Sequence, residues 1–111
     1  MLARDELVEL ETICRIGDAA VRELERVLGN FVYENPFDTA TVERREELEA
    51  GVMFILDNPA APLSAQHDAW RARNAGRLPA DDPRLVPFDK LPFGLQLKAR
   101  LWRHIVHAIV G

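Results

Sequence analysis

The sequence predicts an all-α, four-helix single domain with a long proline-rich extended loop before the C-terminal helix. Apolar residues recur at helical spacing in three segments, capping and terminating residues mark a fourth helix, and no segment shows the alternation of a half-buried strand. Three prolines, Pro83, Pro87 and Pro92, precede the last of these segments. Proline is excluded from helix interiors and central strands, so residues 81–92, which we call the proline segment, are predicted to be extended. A chain of 111 residues is long enough for one core.

The first predicted helix runs from Leu2 to Leu28. Its apolar residues fall at positions 7, 10, 13, 14, 20, 21, 24, 27 and 28, and Gly29-Asn30 is a suitable stop. Positions 7, 10, 14, 17, 21, 24 and 28, which we call the heptad stripe, also follow a coiled-coil repeat with Gly17 at one seam position. Because three heptads are short for a coiled coil, a bundle helix is the first interpretation and self-association through the stripe the second.

A loop and a second helix follow. The loop, residues 31–40, keeps three aromatic residues that we expect to pin it to the core: Phe31, Tyr33 and Phe37. The second helix is predicted from Thr41 to Leu56, with the charged run ERREELE (43–49) on a solvated face. Its inward residues are predicted to be Val42, Leu48, Val52, Met53, Ile55 and Leu56. The run DNPAAP ends it, since proline disfavours a helical conformation in the preceding residue.

The third helix is predicted to begin with Ser64 as its N-cap and to continue to about Asn74. Pro92 opens the last helix, which reaches Val110, because proline suits a first helical turn. One side of this last helix is apolar and includes Trp102, which is expected in the core. We call the opposite side the basic stripe; it consists of Gln96, Arg100, Arg103, His104 and His107.

Charge is divided unevenly along the chain. Residues 1–60 hold 14 acidic and 6 basic residues, a net of −8, whereas residues 61–111 hold 4 acidic and 8 basic residues, a net of +4. The asymmetry is consistent with attraction between the two halves or with an anion-attracting face in the second. No apolar run is long enough to span a membrane, and the N-terminus is too acidic for a signal peptide, so no membrane partner and a cytoplasmic location are expected. Cys14, the single cysteine, is predicted to be a buried apolar residue.

Three motifs resemble the RyR domain, the helical repeat named for the ryanodine receptor. They are HDAW (67–70), the proline segment with PRLVPFDKLP (83–92), and LWRHIVHAI (101–109). The specific part is the fixed spacing of Pro83, Val86, Pro87, Phe88, Leu91 and Pro92. The stretches GVMF (51–54) and LDNP (56–59) are similar to small phage and prophage RyR-domain proteins. The chain lacks the family's Gly-Trp-x-Tyr-Gly turn and keeps only Gly76 there.

Residues 1–58 are predicted to form an N-terminal helical pair. The resemblance implies a RyR-like unit in residues 60–111 and a nucleotide-type anionic ligand that is sensed or sequestered. Trp70 or Phe88 is a candidate for stacking on a base, and His67 for a further contact. Arginines with a forked guanidinium suit a phosphate. The complete predicted ligand site is His67, Trp70, Arg71, Arg84, Phe88, Arg100, Arg103 and His107.

The alternative is a structural or protein–protein interaction module of phage or bacterial origin. It would form a homo-oligomer through its N-terminal helix and bind no small ligand. No arrangement of residues predicts catalysis, a metal site or a cofactor, so a non-enzymatic protein is expected. A sequence pI of 5.3 and the absence of a nucleic-acid-binding motif disfavour nucleic acid as a partner. If the chain is phage-encoded, its location is the cytoplasm of the bacterial host.

Overall fold

Four α-helices form the fold in the computed structural model, which describes residues 4–30 and 35–110, with side chains from residue 9 onward. They are α1 (Arg4–Val27), α2 (Val42–Asp57), α3 (Leu63–Asn74) and α4 (Phe93–Val110). The described residues contain no strand, so the all-α, four-helix prediction is confirmed. None of these helices combines the length and the apolar character needed to cross a membrane.

Four positions of the heptad stripe pack inside the chain itself, whereas Leu28 at its end is 41% exposed. Leu10, Cys14, Gly17 and Val21 are buried, and α1 packs mainly against α4 and then α2. Self-association through these four positions would therefore require α1 to leave the bundle, and the bundle interpretation is correct for them. The helix stops where predicted, because Gly29 adopts a left-handed φ of 81° that favours glycine.

The hydrophobic core draws on both halves of the chain. Val52 and Ile55 of α2 and Val106 of α4 are buried together with the α1 residues Leu10, Ile13 and Cys14. Trp102 is partly buried and packs against this cluster, as predicted from its position on α4. The core therefore joins the segments 1–58 and 60–111 into one packed unit.

A buried hydrogen bond attaches the loop before α2 to α1. Phe37 is buried, and its backbone N–H donates to Oδ2 of the buried Asp18 at 2.9 Å. The prediction that Phe37 pins the loop is confirmed, and the predictions for Phe31 and Tyr33 lie outside the described residues. A carboxylate that accepts a backbone N–H in this way satisfies a donor that the loop itself cannot pair.

The starts of α2 and α3 are capped differently. The side chain of Thr41 accepts from the backbone N–H of Arg44 at 3.2 Å, in agreement with the predicted start of α2. The prediction of Ser64 as N-cap is wrong, because α3 begins at Leu63 and Pro62 is its N-cap without a side-chain hydrogen bond. The extended backbone of Pro62 presents its carbonyl to Ala65 and Gln66, so the helix begins without a polar cap.

The prediction that the proline segment is extended is only partly right, because two short 3₁₀-helices, Pro83–Leu85 and Phe88–Lys90, lie in it. Between them the backbone is extended at Val86 and Pro87. Leu91 is buried, whereas Leu85, Val86 and Phe88 are only partly buried. Apolar contacts therefore anchor the segment mainly at its end.

Side chains from the neighbouring helices hold the carbonyls of the proline segment. Arg71 Nε donates to Leu85 O at 3.1 Å, and His67 Nε2 donates to Val86 O at 2.8 Å. From α4, Gln96 Nε2 donates to the carbonyls of both Phe88 and Leu91 at 3.1 Å. These bonds replace part of the backbone pairing that an irregular segment lacks.

Cys14 is expected to be almost unreactive while the protein is folded. Burial, followed by the nearby carboxylates Glu49, Asp18 and Glu11, raises the pKa of its thiol to about 12. Relative to an exposed cysteine, this lowers the thiolate fraction at pH 8 by about a thousandfold. Reaction with a disulfide reagent should be slow in native buffer and fast in denaturant, and rapid reaction in native buffer would contradict the burial of Cys14.

Candidate ligand cavity

A cavity of about 200 Å³ lies between α2, α3 and α4, next to the proline segment. Small residues leave this space, since Gly51 of α2 and Ala99 of α4 both line it. Its apolar lining comes from α2, α4 and the proline segment: Leu48, Val52, Phe54, Ile55, Leu91, Leu95 and Trp102. The cavity is therefore an extension of the core that remains open on one side.

Polar side chains border the same cavity. Four cations line it against a single carboxylate, Glu47. The cations are Arg44, Arg73, Arg84 and Lys98, and Gln66, His67 and Trp70 complete the polar and aromatic lining. An apolar interior with a few placed polar groups is suited to an organic molecule, and a lining cation that has no carboxylate partner would favour an anionic one.

Arg73 and Glu47 form the most enclosed ion pair of the cavity. Arg73 Nη2 lies 3.0 Å and Nε 3.2 Å from Glu47 Oε1. The buried Asn74 adds a bond of 3.4 Å to the same oxygen and a second, of 2.9 Å, to Trp70 O. This network connects α2 to α3 and holds the Arg73 guanidinium in the cavity wall.

Arg84 of the proline segment is oriented by Asp82. Its Nε and Nη2 lie 2.9 Å from the two oxygens of Asp82, and its backbone N–H donates to Oδ1 at 2.9 Å. These bonds lower the pKa of the Asp82 carboxyl to about 2, so the pair stays charged throughout the neutral range. The guanidinium carbon lies 5.7 Å from the centroid of the Trp70 ring, within cation–π distance.

His67 connects the cavity to the proline segment. Its ring is stacked on Trp70 with centroids 5.6 Å apart and planes inclined by 10°. Phe88 approaches the same ring edge-on at 6.3 Å. Because Nε2 donates to the carbonyl of Val86, the ring has a fixed orientation. His67 therefore positions both the Trp70 ring, by stacking, and the proline segment, by its hydrogen bond.

Arg44 differs from the other three cations because it has no ion pair or hydrogen-bond partner for its side chain in the described part of the chain. Lys98, in contrast, lies 3.6 Å from Glu25 of α1. Arg44 belongs to the first turn of α2 and is only partly exposed. It is thus the cation best placed to meet a ligand's negative charge without first breaking an ion pair.

The structure brings three of the eight predicted site residues to the cavity: His67, Trp70 and Arg84. Arg71 donates one hydrogen bond to Leu85 O of the proline segment and another to Asp68 Oδ1, the latter at 3.3 Å. Phe88 packs against His67. The other three, Arg100, Arg103 and His107, do not line the cavity. The reason is geometric, because α4 presents Leu95, Lys98, Ala99 and Trp102 to it and the basic stripe lies elsewhere on the helix.

Five charged or polar lining residues were not in the predicted site: Arg44, Glu47, Gln66, Arg73 and Lys98. The run ERREELE was assigned to a solvated face, but Arg44 and Glu47 of that run line the cavity. A signal was present in the sequence, since Arg44, Glu47 and Gly51 are separated by three and four residues and so share one face of a helix. Gly51, one helical turn after Glu47, lies on the face of α2 that lines the cavity.

Comparisons with protein-family models, with curated proteins and with solved structures find no significant match to this chain. The resemblance to the RyR domain therefore rests on the motifs quoted above, and the function must be argued from the cavity.

Proposed function

We propose that this protein is a non-enzymatic binding module for a small anionic ligand of the nucleotide type, which it senses or sequesters. The observation that carries the proposal is the cavity lining, an apolar and partly aromatic interior bordered by four cations and one carboxylate. Such a lining accommodates a planar ring inside and a negative group at the mouth. The proposed contacts are His67, Trp70 and Arg84, together with Arg44, Arg73 and Lys98.

The size of the cavity limits the ligand. Its volume of about 200 Å³ is below the roughly 300–1,000 Å³ of pockets that enclose a drug-sized molecule. One ring system therefore enters, and the sugar and phosphate stay at the mouth. A phosphate beside Arg44 gains charge-assisted hydrogen bonds, which are about twice as strong as neutral ones. The proposal thus favours a mononucleotide over a fully enclosed dinucleotide.

The resemblance to the RyR domain is part of this proposal. Support comes from the way its motifs meet: His67 and Trp70 of the HDAW motif stack on each other, and His67 donates to Val86 of the proline segment. Residues 60–111 are accordingly proposed to form a RyR-like unit. A phage or prophage origin and a cytoplasmic location remain predictions of that resemblance.

A panel of mononucleotides and dinucleotides tested by thermal shift and calorimetry is the direct experiment. A ligand at a hundred times its dissociation constant adds about 2.7 kcal/mol to the free energy of unfolding, which is a readily measured rise in Tm. We expect Arg44→Ala to weaken binding by about 10–150-fold, the equivalent of one hydrogen bond to a charged group. Arg44→Ala should leave the Tm of the ligand-free protein nearly unchanged, because its side chain has no partner among the described residues.

Arg100→Ala is the matched control, since Arg100 is an exposed arginine of the basic stripe outside the cavity. It should bind as the unmodified chain does. If Arg100→Ala loses binding while Arg44→Ala keeps it, the basic stripe is the anion site and the cavity is not. If no nucleotide shifts the Tm, the proposed function fails.

The second candidate function is an interaction module that associates with another copy of itself. It is favoured by exposed apolar residues where α1 ends and α4 begins, with Val27 70% and Phe93 72% exposed. Leu28 is near them, because its Cδ1 lies 3.4 Å from where a Cβ on Gly94 would be. Sedimentation of the unmodified chain and of Phe93→Glu tests this candidate. An oligomer that Phe93→Glu dissociates, together with no nucleotide shift, would favour it over ligand binding.

A further inference from the structure

Gly51 is a glycine in the interior of α2 that the packing of the protein does not require. Glycine is among the least favourable residues inside a helix, so its presence needs a reason. A Cβ at this position would meet only Arg73 Nη2, at 3.8 Å, which is an ordinary van der Waals distance. The backbone does not demand glycine either, since Gly29 alone has a positive φ among the described residues.

Gly17, in the interior of α1, shows the contrast. A Cβ there would lie 2.6 Å from Cε3 and 2.7 Å from Cη2 of Trp102, so the fold itself excludes a side chain. At Gly51 the corresponding space is part of the cavity. The absent side chain therefore leaves room for a molecule other than the protein.

We infer that Gly51 is a specificity-determining residue of the cavity, because its bare backbone lets the planar ring of the ligand lie directly against α2. This inference rests on the proposed function and deepens it. The ring would lie beside the Arg73 guanidinium, which Glu47 holds through Nε and Nη2. A fixed guanidinium next to a bare helix backbone suits a flat ring, with which arginine can stack or hydrogen-bond. The ring of the ligand is thus inferred to be a nucleobase or another heterocycle of similar thickness.

Gly51→Ala tests the inference with two readouts of opposite sign. The Tm of the ligand-free protein should rise by about 2–6 °C, because alanine favours the helix and its methyl group meets no clash. The affinity for AMP or GMP should fall by about 10–200-fold, the range for one methyl group added to or removed from a fitted pocket. A purely structural glycine would show neither this combination nor a gain in stability.

Gly94→Ala is the matched control, since Gly94 is also helical but does not line the cavity. Its added Cβ would make an ordinary contact of 3.4 Å with Leu28, and its nucleotide affinity should be unchanged. If the unmodified chain binds AMP or GMP and Gly51→Ala binds equally well, the placement of the ring is wrong while the proposed function stands. A lower Tm for Gly51→Ala would also overturn the inference. If the unmodified chain binds neither nucleotide, the proposed function fails first.

Discussion

Gly17→Ala is expected to destabilise the protein by about 1–3 kcal/mol, the usual effect of overpacking a core. Alanine improves helix propensity by about 1 kcal/mol, so a net loss would have to come from a clash. The added Cβ would lie 2.6 Å from Cε3 of Trp102, whereas carbon atoms pack at about 3.5–4.0 Å. Trp102 packs against the core, so moving its ring away from α1 would break those contacts. Urea denaturation measures the change.

A double-mutant cycle isolates the contact between Gly17 and Trp102. In a Trp102→Leu background the ring is gone, so Gly17→Ala should become neutral or stabilising. Trp102→Leu alone is expected to be less stable than the unmodified chain, because truncating a packed tryptophan leaves a cavity. An equal loss from Gly17→Ala in both backgrounds would mean that the indole is not what excludes the methyl group.

His67→Ala is the second substitution for which we expect a large effect, a loss of about 2–5 kcal/mol in the free energy of unfolding. It removes the donor to Val86 O and leaves that carbonyl without its 2.8 Å partner. It also removes a buried ring that packs between Trp70 and Phe88. Amide hydrogen exchange should rise in residues 83–91, because the bond that holds the middle of the proline segment is lost.

His104→Ala provides the comparison, since His104 is an exposed histidine on α4. Surface substitutions of this kind change stability by about 0.5 kcal/mol or less. If His67→Ala is no more destabilising than His104→Ala, the hydrogen bond to Val86 does not hold the segment. If stability falls but exchange in residues 83–91 is unchanged, His67 acts through the core alone.

The proline segment forms part of the cavity as well as part of the fold. Arg84 and Leu91 line the cavity, and both belong to this segment. The donors that fix it, His67 and Gln96, come from α3 and α4. A change that releases the segment should therefore weaken ligand binding together with stability, whereas Arg44→Ala and Gly51→Ala should separate the two.

Local sequence signals were sufficient to predict the helices. Apolar spacing, capping residues and prolines set four helices whose ends agree with the structure within two residues, as in α2, predicted from Thr41 to Leu56 and observed from Val42 to Asp57. The start of α3 was mispredicted at Ser64 because a capping residue and a proline compete for that role, and Pro62 took it. The burial of Cys14 and Phe37 also followed from their apolar neighbours and character.

The candidate site was only partly predictable, because a cavity is a property of three helices and not of one. His67, Trp70 and Arg84 could be selected from motifs, but Arg44, Glu47 and Arg73 looked like ordinary charged surface residues. Their role depends on the approach of α2 to α3, which buries much of the Arg73–Glu47 pair. The basic stripe supplied three of the predicted contacts, Arg100, Arg103 and His107, yet the packing of α4 directs a different face to the cavity.

The sequence by itself determined the helical class, the approximate ends of the helices and the break in α-helix at the proline segment. These depend on residue spacing and on the fixed φ of proline, which are local properties. Only the tertiary structure decided that side chains of α3 and α4 hydrogen-bond to the carbonyls of that segment. It also decided that the Trp102 ring occupies the space beside Gly17, whereas Gly51 faces an open cavity. The same residue type has opposite roles at these two positions, because what a missing side chain leaves room for depends on the helix packed opposite it.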